Sequence, residues 1–405
     1  MIQGETALNE LIPMDLKYGG KSTVKFRFRS IVNINRDDVA SSLDGRHVSS
    51  GLNRQAKLIH HVPHFFESFV IFRSLICVTE ASSEIGYGHF MRCYALAEEA
   101  IARNLSVFFF MPDAEARLTT LIRSTGSKYI KCAKPWDQTL IPTLDEHGAT
   151  SCDWIVLDSY SVRRPLLLKL SSKYPVLMFD DLCELEFFDC RLIVNAALNV
   201  SDAMYQTKLK AGRLLAGPQY AMVRSEFLQY NKCSVEDAIT IILGGSDPRS
   251  LTTQCVYLVA DALPKHEIRV IAGPANQRLI DLQTIAANCS RIEVHFAPEN
   301  LVALLASSTL VVTAAGNTVA ELCALGKAAV VLVIADNQIA ALDACPYPVL
   351  DSRCGLSSEF TQVVKALAAD PERRSRLIES ARKTVDGLGS RRVIDRIMNE
   401  AFSDE

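Results

Sequence analysis

The feature that most constrains this chain is a rhythm. From about residue 71 onward, short apolar runs that end in small or polar residues alternate with stretches of helical character. FVIFRSLICVT, SVFFFM, DWIVLDSY, VLMFDD and RLIVNAAL make one series. AITIILGG, EIRVIAG, RIEVHF, TLVVTAAG and AAVVLVIA make a second, starting near residue 238. Strands this uniformly apolar are covered on both faces, and strands separated by helices pair in parallel. The chain therefore reads as α/β with two successive parallel sheets, at 71–232 and 233–405, joined by the polar stretch Tyr230–Asp237. In open sheets of this kind ligands sit beyond the carboxyl ends of the strands, so two sheets predict one cleft between them.

Composition narrows the classes of function. Hydrophobic residues make up 49% and charged residues 22%, as expected of a chain with real cores. The net charge of −3 argues against a nucleic-acid binder. Twelve cysteines are scattered without a C-x-x-C pair, which predicts no metal ribbon and fits a reducing, cytoplasmic compartment. The N-terminus lacks the charged-then-apolar pattern of a leader, and no apolar stretch is long enough for membrane insertion.

Residues 1–70 stand apart as an extension of unknown role. Within it TVKFRFRSIVNI alternates apolar and basic residues, a strand pattern with a basic outer face. Nine Lys/Arg in the segment are nearly matched by seven Asp/Glu, so a solvated edge explains it better than a nucleic-acid or lipid patch. The HHVPH run at 60–64 lacks the cysteine pairs or carboxylate cluster that would complete a metal site.

Three turns carry the chemistry. Ser83-Glu84-Ile85-Gly86-Tyr87-Gly88-His89 leads from a strand into a helix, and its glycines Gly86 and Gly88 permit a tight turn and close ligand approach. His89 then falls near a helix N-terminus, which favours anions. Arg92, one turn on, could reach a phosphate or pair with Glu98 or Glu99. In Gly244-Gly245-Ser246-Asp247-Pro248, Asp247 suits an N-cap and Pro248 the first helical position, while the glycines could expose amides to a phosphate. In Ala314-Ala315-Gly316-Asn317-Thr318, Thr318 and Glu321 have capping-box spacing; alternatively a phosphate sits at this helix start and Glu321 takes ribose hydroxyls.

The run EASSEIGYGHFMRCYALAEE resembles the opening of the UDP-sugar hydrolases of pseudaminic acid biosynthesis, which act on UDP-2,4-diacetamido-2,4,6-trideoxy-β-L-altrose. The resemblance continues in order through LDSY, FDDL, GPQYAMVRSEF, GGSDP, AAGNTVAELCALG and Asn337-Gln338, over about residues 75–405. It implies two facing Rossmann-like domains, as in the inverting glycosyltransferases. It places the family's catalytic histidine on His89, its cleft tyrosine on Tyr160 and its asparagine on Asn337, with Gln338 beside it among the UDP-binding candidates. The ribose-binding glutamate of the related transferases falls on Glu321. Two positions depart from the family: Val78 stands where it has Arg, and Leu322 follows Glu321 where it often has Arg.

The expectation is therefore a cytoplasmic, monomeric enzyme that needs neither metal nor cofactor. It hydrolyses a UDP-sugar at the anomeric carbon with inversion, His89 acting as base and Tyr160 and Asn337 holding the sugar. The alternatives are a glycosyltransferase using the same donor and a non-catalytic sugar-nucleotide-binding protein.

Overall fold

The structure, a computed structural model, describes residues 12–18, 21–27 and 74–401 apart from 83, 84, 231–233 and 248. The histidines of HHVPH, the Ser83-Glu84 pair and Pro248 lie outside these residues. The chain divides into two compact units, Met1–Ser68 and Phe69–Glu405.

In the smaller unit, β1 (Ile12–Tyr18) pairs antiparallel with β2 (Lys21–Arg27), Ile12 opposite Arg27 and Tyr18 opposite Lys21. The alternating stretch is thus a strand as far as Arg27; the rest of it lies outside the described residues.

The larger unit holds two parallel sheets. β3 (Ser74–Thr79), β4 (Ser106–Met111), β5 (Lys128–Lys131), β6 (Asp153–Asp158), β7 (Val176–Phe179), β8 (Leu192–Asn195) and β9 (Arg213–Ala216) lie in the order β5-β4-β3-β6-β7-β8-β9. β10 (Ala238–Ile242), β11 (Glu267–Ala272), β12 (Ile292–Phe296), β13 (Leu310–Ala314), β14 (Ala329–Val333) and β15 (Val349–Asp351) lie in the order β12-β11-β10-β13-β14-β15. Every residue of β3, β6, β7, β8, β10, β13 and β14 is buried, which is why these segments read as unbroken apolar runs. The sequence rhythm misses β5, β9 and β15. All three are edge strands, where one flank meets solvent and an apolar run is not required.

Helices cover both faces of each sheet. On one face of the first, Phe90 and Leu96 of the helix Gly88–Ala102 pack on Leu75, Cys77 and Val156. On the other, Trp136, Leu140, Leu166 and Leu170 pack on Ile76, Val78 and Ile155. Val78 is fully buried in that layer. The last helix, Gly389–Ala401, returns to the first sheet and buries Val393, Ile394 and Ile397 beside Phe90 and Leu96. No single cut in the sequence therefore separates the two halves.

Strand order reverses between β3 and β6 in the first sheet and between β10 and β13 in the second. In open α/β sheets ligands sit beyond the strand ends at such a reversal. All three turns singled out in the sequence follow strands at these reversals: β3, β10 and β13.

Candidate functional site

The turn after β3 is closed by a hydrogen bond from Gly86 N to Ser82 O (2.9 Å) and carries Gly86 at φ 78°, a conformation that favours glycine. It delivers His89 into the first turn of the helix Gly88–Ala102, where the residue is buried to 7% exposure. His89 Nδ1 lies 2.7 Å from Oδ1 of Asp158, the last residue of β6. A carboxylate at this distance accepts from Nδ1–H, and in the neutral ring with that tautomer Nε2 keeps the lone pair. That is the arrangement a general base requires.

Arg92 does not pair with Glu98 or Glu99. Glu98 accepts from Ser225 N (2.9 Å) and Ser225 Oγ (2.7 Å), and Glu99 accepts from Arg103. Instead Arg92 donates to Asp158 through Nε (2.8 Å) and Nη2 (2.7 Å), and to Asp181 through Nη1 (2.6 Å) and Nη2 (3.0 Å). Burial works against the guanidinium's charge, but these two carboxylates hold its pKa well above the ordinary arginine value. Burial likewise opposes ionisation of Asp181, and the Arg92 charge outweighs it, so that carboxyl is held below its usual value. Four of the guanidinium's five N–H groups are thus committed to these carboxylates.

Tyr160 follows β6. Its hydroxyl donates to Asp181 Oδ2 (3.1 Å) and accepts from Asn337 Nδ2 (3.1 Å), and its ring meets the His89 imidazole edge-on at 4.5 Å. Burial and the Asp181 charge raise the phenol's pKa and keep it a donor. Asn337 belongs to the second half, so one network runs from His89 through Asp158, Arg92, Asp181 and Tyr160 across the cleft. The second half makes two more close approaches. Asn317 Nδ2 donates to the carbonyl of Gly88 (2.9 Å), and a Cβ on Gly245 would lie 2.7 Å from the Tyr87 ring, so only glycine fits there.

The capping expected in the second half takes other forms. The helix after β10 begins at Leu251, so Asp247 is not its N-cap; its carboxylate reaches forward to Leu251 N (3.0 Å) and Thr252 N (2.9 Å) from a loop at φ 46°. The capping box of Thr318 and Glu321 does not form. The helix Asn317–Leu325 starts from Gly316 without a side-chain cap, and Glu321 points elsewhere, accepting from Arg224 Nε at 2.6 Å. Glu321 is 4% exposed, and although burial opposes the Arg224 charge, Glu321 keeps that guanidinium protonated. Gln338 serves its own loop, its amide oxygen accepting from Ile334 N (2.9 Å). A Cβ on Gly88, Gly244 or Gly316 would meet nothing within 4 Å, so the main chain is open at all three turns, while Ser246 and Thr318 are half-buried.

Sequence reasoning named His89, Arg92, Tyr160 and Asn337, which the fold brings together. It missed Asp158, Asp181 and Arg224. Asp158 and Asp181 stand in LDSY and FDDL, each ending an apolar strand run, and that strand-end position was the available signal.

No family model matches the chain. Over 277 residues it is 24% identical to an uncharacterized protein of Methanocaldococcus jannaschii, covering 63% of this chain and 54% of that protein. The chain thus spans about half the length of that relative. Over 257 residues it is 29% identical to UDP-2,4-diacetamido-2,4,6-trideoxy-beta-L-altropyranose hydrolase of Campylobacter jejuni, covering 62% of this chain and 86% of the hydrolase. Among solved structures, MurG of Acinetobacter baumannii superposes with a TM-score of 0.54 at 13% identity, covering 80% of this chain and 99% of that one. The calicheamicin glycosyltransferase CalG4 superposes with a TM-score of 0.54 at 13% identity, covering 82% and 99%. The pneumococcal O-GlcNAc transferase GtfA gives 0.55 at 9% identity, covering 82% and 100%. The fold is that of the GT-B glycosyltransferases.

Proposed function

We propose that the chain hydrolyses a UDP-sugar of the 2,4-diacetamido-trideoxyhexose type at its anomeric carbon, releasing UDP and the free sugar. The observation that carries this reading is the buried His89–Asp158 pair at the β3–β6 reversal, with Nε2 left to accept a proton. The likeness to the Campylobacter hydrolase supports the choice of substrate and of water as acceptor.

In this mechanism residues 71–232 supply the sugar side and residues 233–405 the nucleotide side. UDP is already a good leaving group, so no strong acid is needed. The amides of the Gly244-Gly245 turn and the N-terminus of the helix Asn317–Leu325 stabilise the charge growing on its phosphates. Glu321, anchored through one oxygen by Arg224, offers the other to the ribose diol. His89 takes a proton from water on the face opposite UDP, which inverts the anomeric centre, and Asp158 faces the imidazolium that forms. Tyr160 and Asn337 hold the sugar. The eleven described cysteines are all free, which supports a cytoplasmic site of action.

The GT-B likeness favours one rival, a transferase with a sugar or lipid hydroxyl in place of water. A panel of UDP-sugars with UDP release as the readout separates the two. Release from the diacetamido-trideoxy donor without any acceptor is expected; release only on adding an acceptor makes the chain a transferase. Binding without release in either case leaves a sugar-nucleotide-binding protein.

A further inference from the structure

We infer that Arg92 is a positioning residue that sets both the geometry and the net charge of the network around His89, an inference that rests on reading His89 as the base. The guanidinium is a planar fork, and four of its five N–H groups are spent on two carboxylates. It grips Asp158 along one side and Asp181 at its tip. One carboxylate is thereby aimed at His89 Nδ1, and the other at the Tyr160 hydroxyl. A single side chain thus orients both groups that meet at the cleft.

The charge count is equally specific. The titratable groups around the imidazole are Asp158 at the end of β6, Asp181 after β7, Tyr160 after β6, and Arg92 and Cys93 on its own helix. Burial raises the Cys93 thiol's pKa and the Tyr160 phenol's, so both stay neutral. Two carboxylates and one guanidinium leave a net charge of minus one. A proton arriving on His89 brings the group to neutrality, so the network matches the state reached once water has been deprotonated. Arg92 Nη2 lies 3.4 Å from His89 Nδ1, where its charge opposes early protonation of the ring. The Arg92 charge thus counters part of the pull that the two carboxylates exert on a proton at His89, and Asp158 faces the ring nitrogen directly.

The test reads the imidazole directly and needs no substrate. The His89 C2–H signal, assigned by its loss in His89→Asn, is followed by NMR against pH. Arg92→Met leaves two uncompensated carboxylates and is expected to move the His89 titration upward by about one unit or more. Asp181→Asn leaves one carboxylate and one guanidinium and is expected to move it downward. The double variant Arg92→Met/Asp181→Asn restores the count and is expected to return it close to the starting value. Arg92→Lys keeps the charge but not the fork; its titration is expected to stay in place while kcat falls and KM holds. An unchanged titration in both single variants overturns the proposal. If Arg92→Met does not fold, Asp181→Asn decides alone, and an unmoved or raised titration overturns it. Shifts as expected in a protein that releases no UDP would sink the hydrolase reading and leave this one standing.

Discussion

The two walls of the cleft are built from different materials. The first half presents side chains: His89, Asp158, Arg92, Asp181 and Tyr160 form one chain of hydrogen bonds behind the strand ends. The second half presents mainly backbone: the Gly244-Gly245 turn, the start of the helix Asn317–Leu325, and one buried carboxylate, Glu321, which reaches across to Arg224 of the first half. The difference follows from the ligand proposed for each wall. A diphosphate is met by many amides and a helix dipole, whose partial charges carry no mobile proton. Proton transfer at a sugar carbon needs a group that titrates and a second group to hold it, and only side chains supply these. The two walls touch at Tyr160–Asn337, Gly88–Asn317, Tyr87–Gly245 and Arg224–Glu321.

The sharpest way to break this contrast is His89→Asn. It is expected to cut single-turnover UDP release by roughly 10²-fold or more while leaving UDP affinity within a few-fold. Normal turnover in a folded variant would remove the chemistry from the first wall. Asp158→Asn is expected to lose most of the same factor, because its amide can donate to Nδ1 and so move the ring proton to Nε2; turnover and melting temperature measured on one sample check it.

On the second wall the expected effect is smaller and of another kind. Glu321→Gln is expected to weaken UDP binding about tenfold in a calorimetric titration, with KM rising more than kcat falls. Glu321→Ala is a poorer probe, since it removes one of the two carboxylates that hold Arg224 and leaves Glu226 alone, at a cost of about 1–3 kcal/mol in stability. At the contact between the walls, Gly245→Ala forces a methyl against Tyr87 and is expected to destabilise by about 1–3 kcal/mol, a drop of a few degrees in melting temperature. The least effect is expected from starting the chain near Phe69, which removes the smaller unit; unchanged UDP release checks it, and lost activity in a folded protein would give the extension a role.

The two sheets, and the small turns that leave them where strand order reverses, were legible in the sequence. Strands buried on both faces must be apolar along their whole length, and the turns that leave them at a reversal of strand order must be small, so both signals are local. His89 was named from its turn, and Tyr160 and Asn337 through the resemblance to the UDP-sugar hydrolases. What each charged residue does was decided only by the tertiary structure. Arg92 stands one helical turn from His89 and was open to a phosphate or to Glu98; its partners Asp158 and Asp181 lie 66 and 89 residues away. Thr318 and Glu321 have the spacing of a capping box, yet Glu321 turns to Arg224, 97 residues distant, because a buried carboxylate gains more from a guanidinium than from capping an amide. The return of the last helix to the first sheet left no local trace either. A charge or an amphipathic face records that it needs a partner, and only the packed chain decides which partner is within reach.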